Sequence, residues 1–163
     1  MKKVLIVMGS DSDLPVMEAC FKQLDTFAIP YRAHICSAHR TPDIAAKLAK
    51  DAETEGFGVI IAAAGMAAHL PGVLAAFTTL PVIGVPLASG SLNGVDALLA
   101  EVQMPPGIPV ATVAINGAVN AAILACQILA TADETYRLRL HQYKAEMKEK
   151  VIQKDLALQE RLG

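Results

Sequence analysis

Val4-Leu5-Ile6-Val7-Met8, followed at once by Gly9-Ser10-Asp11-Ser12-Asp13, decides how this 163-residue chain is read. An unbroken apolar run suits a strand covered on both faces, since a strand with one wet face alternates apolar and polar side chains. The next five residues are a polar turn rich in helix-capping side chains. Val16, Met17, Cys20, Phe21 and Leu24 then recur at helical spacing, giving strand, loop, helix. The same order continues downstream. Tyr31–Ile35 is a weaker second strand, and Thr41-Pro42-Asp43 predicts a helix start, with Thr41 as cap and Pro42 in the first turn, running to Glu55 and ending near Gly56. Val59–Ala64 is the third strand, with a short helix near Val73–Phe77. Pro81–Val85 is the fourth strand, Asn93–Val102 a short helix, Val110–Ile115 the fifth strand and Ala118–Ala130 a longer helix. The last is apolar on nearly every side and is expected to be buried all round.

Strands alternating with helices give βαβ units and a parallel sheet between helical layers. The expected fold is a three-layer, doubly wound α/β domain of flavodoxin or Rossmann type, with helices on both faces of the sheet. Residues 1–132 form the α/β catalytic domain. Residues 133–163 form a long C-terminal helix that extends the same domain.

Composition narrows the function classes. With 14 Lys+Arg against 16 Asp+Glu there is no basic excess to bind nucleic acid. The chain is 53% hydrophobic and 18% charged, apolar enough to exclude disorder. Its charges are also unevenly placed, because between Gly56 and Ala132 only Asp96 and Glu101 are charged. No stretch there reaches the ~20 apolar residues of a membrane span, since Pro71, Pro81, Pro86, Asn116 and Asn120 interrupt it. A body so poor in charge is instead expected to be covered by other subunits. The run Val4–Met8 is shorter than the ~7–15 residues of a signal-peptide core. Cys20, Cys36 and Cys126 form no C-x-x-C pair, so they are expected to be buried thiols of a cytoplasmic protein.

In an open parallel sheet the ligand lies at the carboxyl ends of the strands. That places chemistry in Gly9–Asp13, Ser37–Arg40 and Gly65–Gly72. The first loop outlines a phosphate cradle, with Gly9, the hydroxyls of Ser10 and Ser12, and a helix N-terminus that attracts anions. It is neither G-x-x-x-x-G-K-[ST] nor G-x-G-x-x-G, which points away from ATP and dinucleotides. Asp13 can accept from sugar hydroxyls, although Ser12 and Asp13 are equally ordinary N-cap residues. In the second loop Arg40 offers a planar fork for phosphate or carboxylate beside His39, an acid/base near neutral pH. The third carries His69 among Gly, Ala and Pro. His39, His69 and Asp13 lack any metal-binding spacing, so no metal is expected.

These loops, Gly9-Ser10-Asp11-Ser12-Asp13, Ser37-Ala38-His39-Arg40-Thr41-Pro42 and Ala64-Gly65-Met66-Ala67-Ala68-His69-Leu70-Pro71-Gly72, combine with Val102-Gln103-Met104-Pro105-Pro106-Gly107-Ile108-Pro109-Val110. In order and in register, the four motifs resemble the N5-carboxyaminoimidazole ribonucleotide mutase family, the small catalytic subunit of the purine-pathway carboxylase. The resemblance implies that N5-carboxyaminoimidazole ribonucleotide becomes 4-carboxy-5-aminoimidazole ribonucleotide without ATP, metal or other cofactor. It also implies a homo-octamer whose sites combine residues of neighbouring subunits, coupled functionally to an ATP-dependent synthase of its substrate. His39 matches the catalytic histidine. Ser10, Asp13 and Arg40 match substrate-binding positions, with Ser12 and Ser37 near the phosphate and Ala64, Gly65, His69 and Leu70 around the base and migrating carboxylate. A sister branch that carboxylates aminoimidazole ribonucleotide directly with CO2 carries Lys after the equivalent His, so Arg40 favours the mutase. A phosphonucleoside- or flavin-binding module is the non-enzymatic alternative. The sequence departs from the pattern at Asp96-Ala97-Leu98-Leu99-Ala100, with Ala where Ser is commoner, and at Ile115-Asn116-Gly117, in place of Ile-Gly.

Overall fold

The computed structural model describes residues 1–163. Val4–Met8 forms the heart of β1 (Lys3–Met8), and all five residues are buried. A 3-10 turn at Asp11–Asp13 leads into α1 (Leu14–Thr26), followed by β2 (Tyr31–Ile35), α2 (Pro42–Asp51), β3 (Phe57–Gly65) and α3 (Leu70–Ala75). Then come β4 (Val82–Leu87), α4 (Val95–Val102), β5 (Ala111–Thr112), α5 (Ala118–Ala130) and α6 (Glu134–Leu162). All strand pairs are parallel, in the order β2-β1-β3-β4-β5. This is the doubly wound order whose direction of winding reverses between β1 and β3, the place where such sheets bind ligands.

Strand alternation splits the core into two layers. Val4, Ile6 and Met8 face Met17, Cys20 and Leu24 of α1 and Ala121, Ala125 and Cys126 of α5. Leu5 and Val7 face the opposite layer, with Ala45 and Ala49 of α2, Leu74 of α3 and Ala97 of α4. The many alanines let helices lie close to the sheet, and each buried Val, Ile or Leu contributes ~1.5–3 kcal/mol by leaving water.

Three elements differ from the sequence reading by three residues or more at one end, and α5 differs in how it is covered. The fifth strand shrinks from Val110–Ile115 to Ala111–Thr112, pairing only with Ile83 and Gly84. The Val113 N–H still reaches the Gly84 carbonyl at 3.0 Å, but the next rung would need an N–H from Pro86, which has none. Helix α2 stops at Asp51, and its final turn loosens into a closure in which the Phe57 N–H meets the Ala52 carbonyl at 3.0 Å across Gly56, φ +87°. Helix α3 starts three residues early because Pro71 fits a first helical turn instead of breaking it. In α5, Ala118, Ala121, Ala122, Ala125 and Cys126 are buried while Val119, Asn120 and Gln127 are exposed, so it is covered on one side only.

Helix α6 is capped by Asp133, whose carboxylate accepts the Thr135 N–H at 2.9 Å. Tyr136 is its buried anchor, and its hydroxyl donates to the Lys2 carbonyl at 3.2 Å. Beyond Glu146 every residue is exposed.

Glu101 of α4 is the one buried charged residue, 1% exposed. Its carboxyl lies over Gly84, where a Cβ would come within 2.5 Å of Oε2, and neither oxygen has a hydrogen-bond partner. Burial pushes its pKa up to about 9, so the group is a neutral acid at pH 7.

Candidate active site

The loops after β1, β2 and β3 meet over the carboxyl edge of the sheet around a cavity of about 260 Å³. All ten sequence-selected residues line it: Ser10, Ser12, Asp13, Ser37, His39, Arg40, Ala64, Gly65, His69 and Leu70. Met66, Ala68 and Ser89 complete the wall with Gly9 and Ala38.

The first loop is held by a reciprocal cap. The Ser10 hydroxyl accepts the Ser12 N–H at 3.3 Å, and the Asp13 carboxylate accepts the Ser10 N–H at 2.9 Å. The Ser12 hydroxyl donates to Ser10 Oγ at 3.0 Å, and Ser10 Oγ donates to Asp11 at 3.0 Å. Burial raises the Asp13 pKa, while the Ser10 and Gly9 backbone N–H groups oppose the rise and the Asp11 charge adds to it. The cap is therefore Ser10 rather than Ser12: Asp13 closes the reciprocal bond to the Ser10 N–H without capping α1, Ser12 caps nothing, and the loop so fixed faces the cavity.

Thr41 does not cap α2. Its hydroxyl turns back to Ser37, accepting the N–H at 3.0 Å and donating to the carbonyl at 2.9 Å, which closes the five-residue turn that carries His39 and Arg40. Ser37 Oγ in turn accepts the Arg40 N–H at 3.2 Å and Nε–H at 3.4 Å. Arg40 makes no ion pair within the chain, so the rest of its fork is free for an anion. Cys36 lies beneath this turn, 2% exposed, with its sulfur 3.4 Å from Thr41 Oγ1.

His39 Nε2 and His69 Nδ1 are 2.8 Å apart, with the rings edge to face. At that distance one nitrogen donates and the other accepts, so the pair can pass a proton between two exposed rings. His69 is fixed at the start of α3 by a strained turn, in which Met66 (φ +51°) and Ala68 (φ +40°) both adopt the left-handed conformation. Strain of this kind persists where surrounding structure imposes it, typically at functional sites. No group of three His, Cys, Asp or Glu side chains that could hold a metal ion is assembled. The other two histidines, His34 and His141, line none of the cavity.

Residues 3–150 match the family model described as AIR carboxylase. The chain belongs to that family. The N5-carboxyaminoimidazole ribonucleotide mutase of Pyrococcus horikoshii is 56% identical over 155 residues, covering 95% of this chain and 88% of that protein. The phosphoribosylaminoimidazole carboxylase of Schizosaccharomyces pombe is 54% identical over 149 residues, covering 91% of this chain but 27% of that longer one. A crystal structure of Treponema denticola PurE superposes with a TM-score of 0.86 at 32% identity, covering 97% of this chain and 99% of that one. As a member of the family the chain keeps the expected α/β architecture, including the long C-terminal helix.

Ser89 is the cavity residue that the sequence reading missed. It follows β4, and the fourth strand's loop was not among those selected. The available signal was the rule already applied to the first three strands.

Proposed function

We propose that this protein converts N5-carboxyaminoimidazole ribonucleotide into 4-carboxy-5-aminoimidazole ribonucleotide, an isomerase step of purine biosynthesis. The observation that carries the reading is the His39–His69 contact, 2.8 Å long, in the same cavity as the unpaired Arg40. The mutase name of the Pyrococcus horikoshii relative supports it.

The reaction is balanced without a co-reactant. The N–COO⁻ bond breaks, releasing CO2, and the nitrogen takes up a proton. The ring carbon then attacks CO2 and gives up its own proton, so the proton and the carboxylate exchange places. Arg40, Ser10, Ser12 and Ser37 hold the phosphate, and Asp13 accepts from the ribose hydroxyls. His39 takes the ring proton, and His69 is the adjacent station that shares it. General acid–base catalysis of this kind is worth ~10²–10⁴ in rate. Ala64, Gly65 and Leu70 surround the base and the migrating carboxylate.

His39, Arg40 and His69 are exposed on the single chain. CO2 has little to grip and would escape such an opening, so the site requires enclosure by neighbouring subunits, in line with a homo-octamer. No helix is long and apolar enough to cross a membrane, which fits a cytoplasmic enzyme. About three quarters of the longer Schizosaccharomyces pombe protein lies outside the matched segment, and coupling to an ATP-dependent synthase of the unstable substrate is the corresponding partnership. That relative's carboxylase name also motivates a second reading, direct carboxylation of aminoimidazole ribonucleotide.

Assay of the purified protein with each ribonucleotide, with and without bicarbonate, separates them. The expected result is ATP-independent turnover of the N5-carboxylated substrate. Equal or faster carboxylation of aminoimidazole ribonucleotide by CO2 would replace the mutase with the carboxylase.

A further inference from the structure

The polar atoms around the cavity are nearly all committed to one another. Ser10, Ser12, Ser37 and the two histidines have internal partners. Besides the open part of the Arg40 fork, Ser89 is the exception: its hydroxyl oxygen is buried and has no hydrogen-bond partner. Leaving a buried hydroxyl unsatisfied costs ~1–3 kcal/mol, so its placement calls for a partner. The oxygen reaches the wall because Gly65 has no side chain, as a Cβ there would sit 2.4 Å from Ser89 Oγ.

Asn116 holds this loop in place. Its side-chain oxygen accepts the Ala88 N–H at 2.9 Å, and its own N–H donates to the Pro86 carbonyl at 2.8 Å. Asn116 is itself left-handed, φ +58°. The departure at Ile115-Asn116-Gly117 therefore supplies an amide that glycine lacks, tied to the residue next to Ser89.

Resting on the mutase reading, we infer that Ser89 is a fourth-loop substrate contact, its hydroxyl donating to the migrating carboxylate, with Asn116 as its positioning residue. The phosphate already has Arg40 and the serine cluster, and the ribose has Asp13. The carboxylated ring remains, at the Gly65 end, where Ser89 is the unspent donor. An uncharged donor also suits the chemistry. A cation clamped on the carboxylate would stabilise the ground state more than the departing CO2 and would raise the barrier to decarboxylation. Between Gly56 and Ala132 the chain offers no Lys or Arg.

The test measures binding of aminoimidazole ribonucleotide and of its 4-carboxy form by calorimetry, to wild type, Ser89→Ala and Asn116→Gly. Ser89→Ala is expected to weaken the carboxylated nucleotide by about 10-fold or more, as for a hydrogen bond to a charged group, and to leave the uncarboxylated one within about twofold. Its melting temperature should be unchanged or higher, because an unpartnered hydroxyl is removed. Asn116→Gly, which tolerates the left-handed backbone, should show a smaller loss of the same selectivity. Equal losses for both nucleotides, or none for the carboxylated one, would overturn the role of Ser89 while wild-type turnover still upheld the mutase. An Asn116→Gly variant as selective as wild type would overturn the positioning role. Wild type that binds neither nucleotide would overturn the mutase reading itself.

Discussion

Replacing Glu101 with Met should make the protein more stable at neutral pH and remove one proton's worth of pH dependence. The group is 1% exposed, no cation lies on the strands packed against α4, and both carboxyl oxygens lack partners. Folding raises its pKa from 4.5 to about 9. Between those values the folded chain keeps a proton that the unfolded chain has lost, so stability falls as pH rises. The contribution is fully present below pH 4.5 and gone once pH passes about 9. Each pH unit in the window costs about 1.4 kcal/mol, which amounts to about 3 kcal/mol by pH 7. Glu101→Met fills similar space without a titrating group, and it removes the desolvation cost of a buried polar group that has no hydrogen-bond partner. Urea unfolding at pH 5.5, 7 and 8.5, at one protein concentration, gives the slope for each protein. The variant should lose less stability per pH unit by about 1.4 kcal/mol. Glu101→Gln should match its slope with less gain at pH 7. Parallel plots for wild type and Glu101→Met would refute the reasoning, because the shared titrations of all other groups cancel in the difference.

The catalytic assignments are open to equally direct tests. His39→Asn should cut turnover by about 10²-fold or more with nucleotide affinity nearly intact; a rate within tenfold of wild type in a single-turnover assay would remove it as the acid/base. Arg40→Ala should weaken ribonucleotide binding far more than binding of the free base, and equal losses by titration would remove its phosphate role. Thr41→Val deletes both side-chain bonds to the Ser37 backbone. It should cost about 1–3 kcal/mol in denaturant unfolding and lower kcat through the displaced His39 turn, without touching the substrate.

Much of this was legible in the sequence where local chemistry and tertiary demand agree. Val4–Met8 and Val59–Ala64 are continuous apolar runs, and both are central strands because only a doubly covered sheet accommodates them. The second and third site loops carry His39, Arg40 and His69, which the turns themselves do not require. What the sequence hid depends on pairing. Val110–Ile115 is as apolar as a central strand, yet its length is set by an N–H missing from Pro86 on the neighbouring strand. Thr41 has the local signature of a cap, but a bond to Ser37 competes with capping and prevails. Glu101 looked like one of two stray charges in a bare stretch, since burial of a charge is a tertiary fact.

Cys36 gives the site loop a chemical reporter. A thiol-modifying reagent can reach its sulfur only when the Ser37–Thr41 turn lifts, so the labelling rate measures how often His39 and Arg40 leave position. Cys20 and Cys126 are fully buried in the other core layer, with thiols pushed up to about 12 and 11 by burial. They react only when the fold opens as a whole. A bound phosphate that engages Arg40 should therefore slow the first labelling event more than the other two. Three native cysteines thus separate local opening of the turn from global unfolding, in a protein that carries no Trp to report on either.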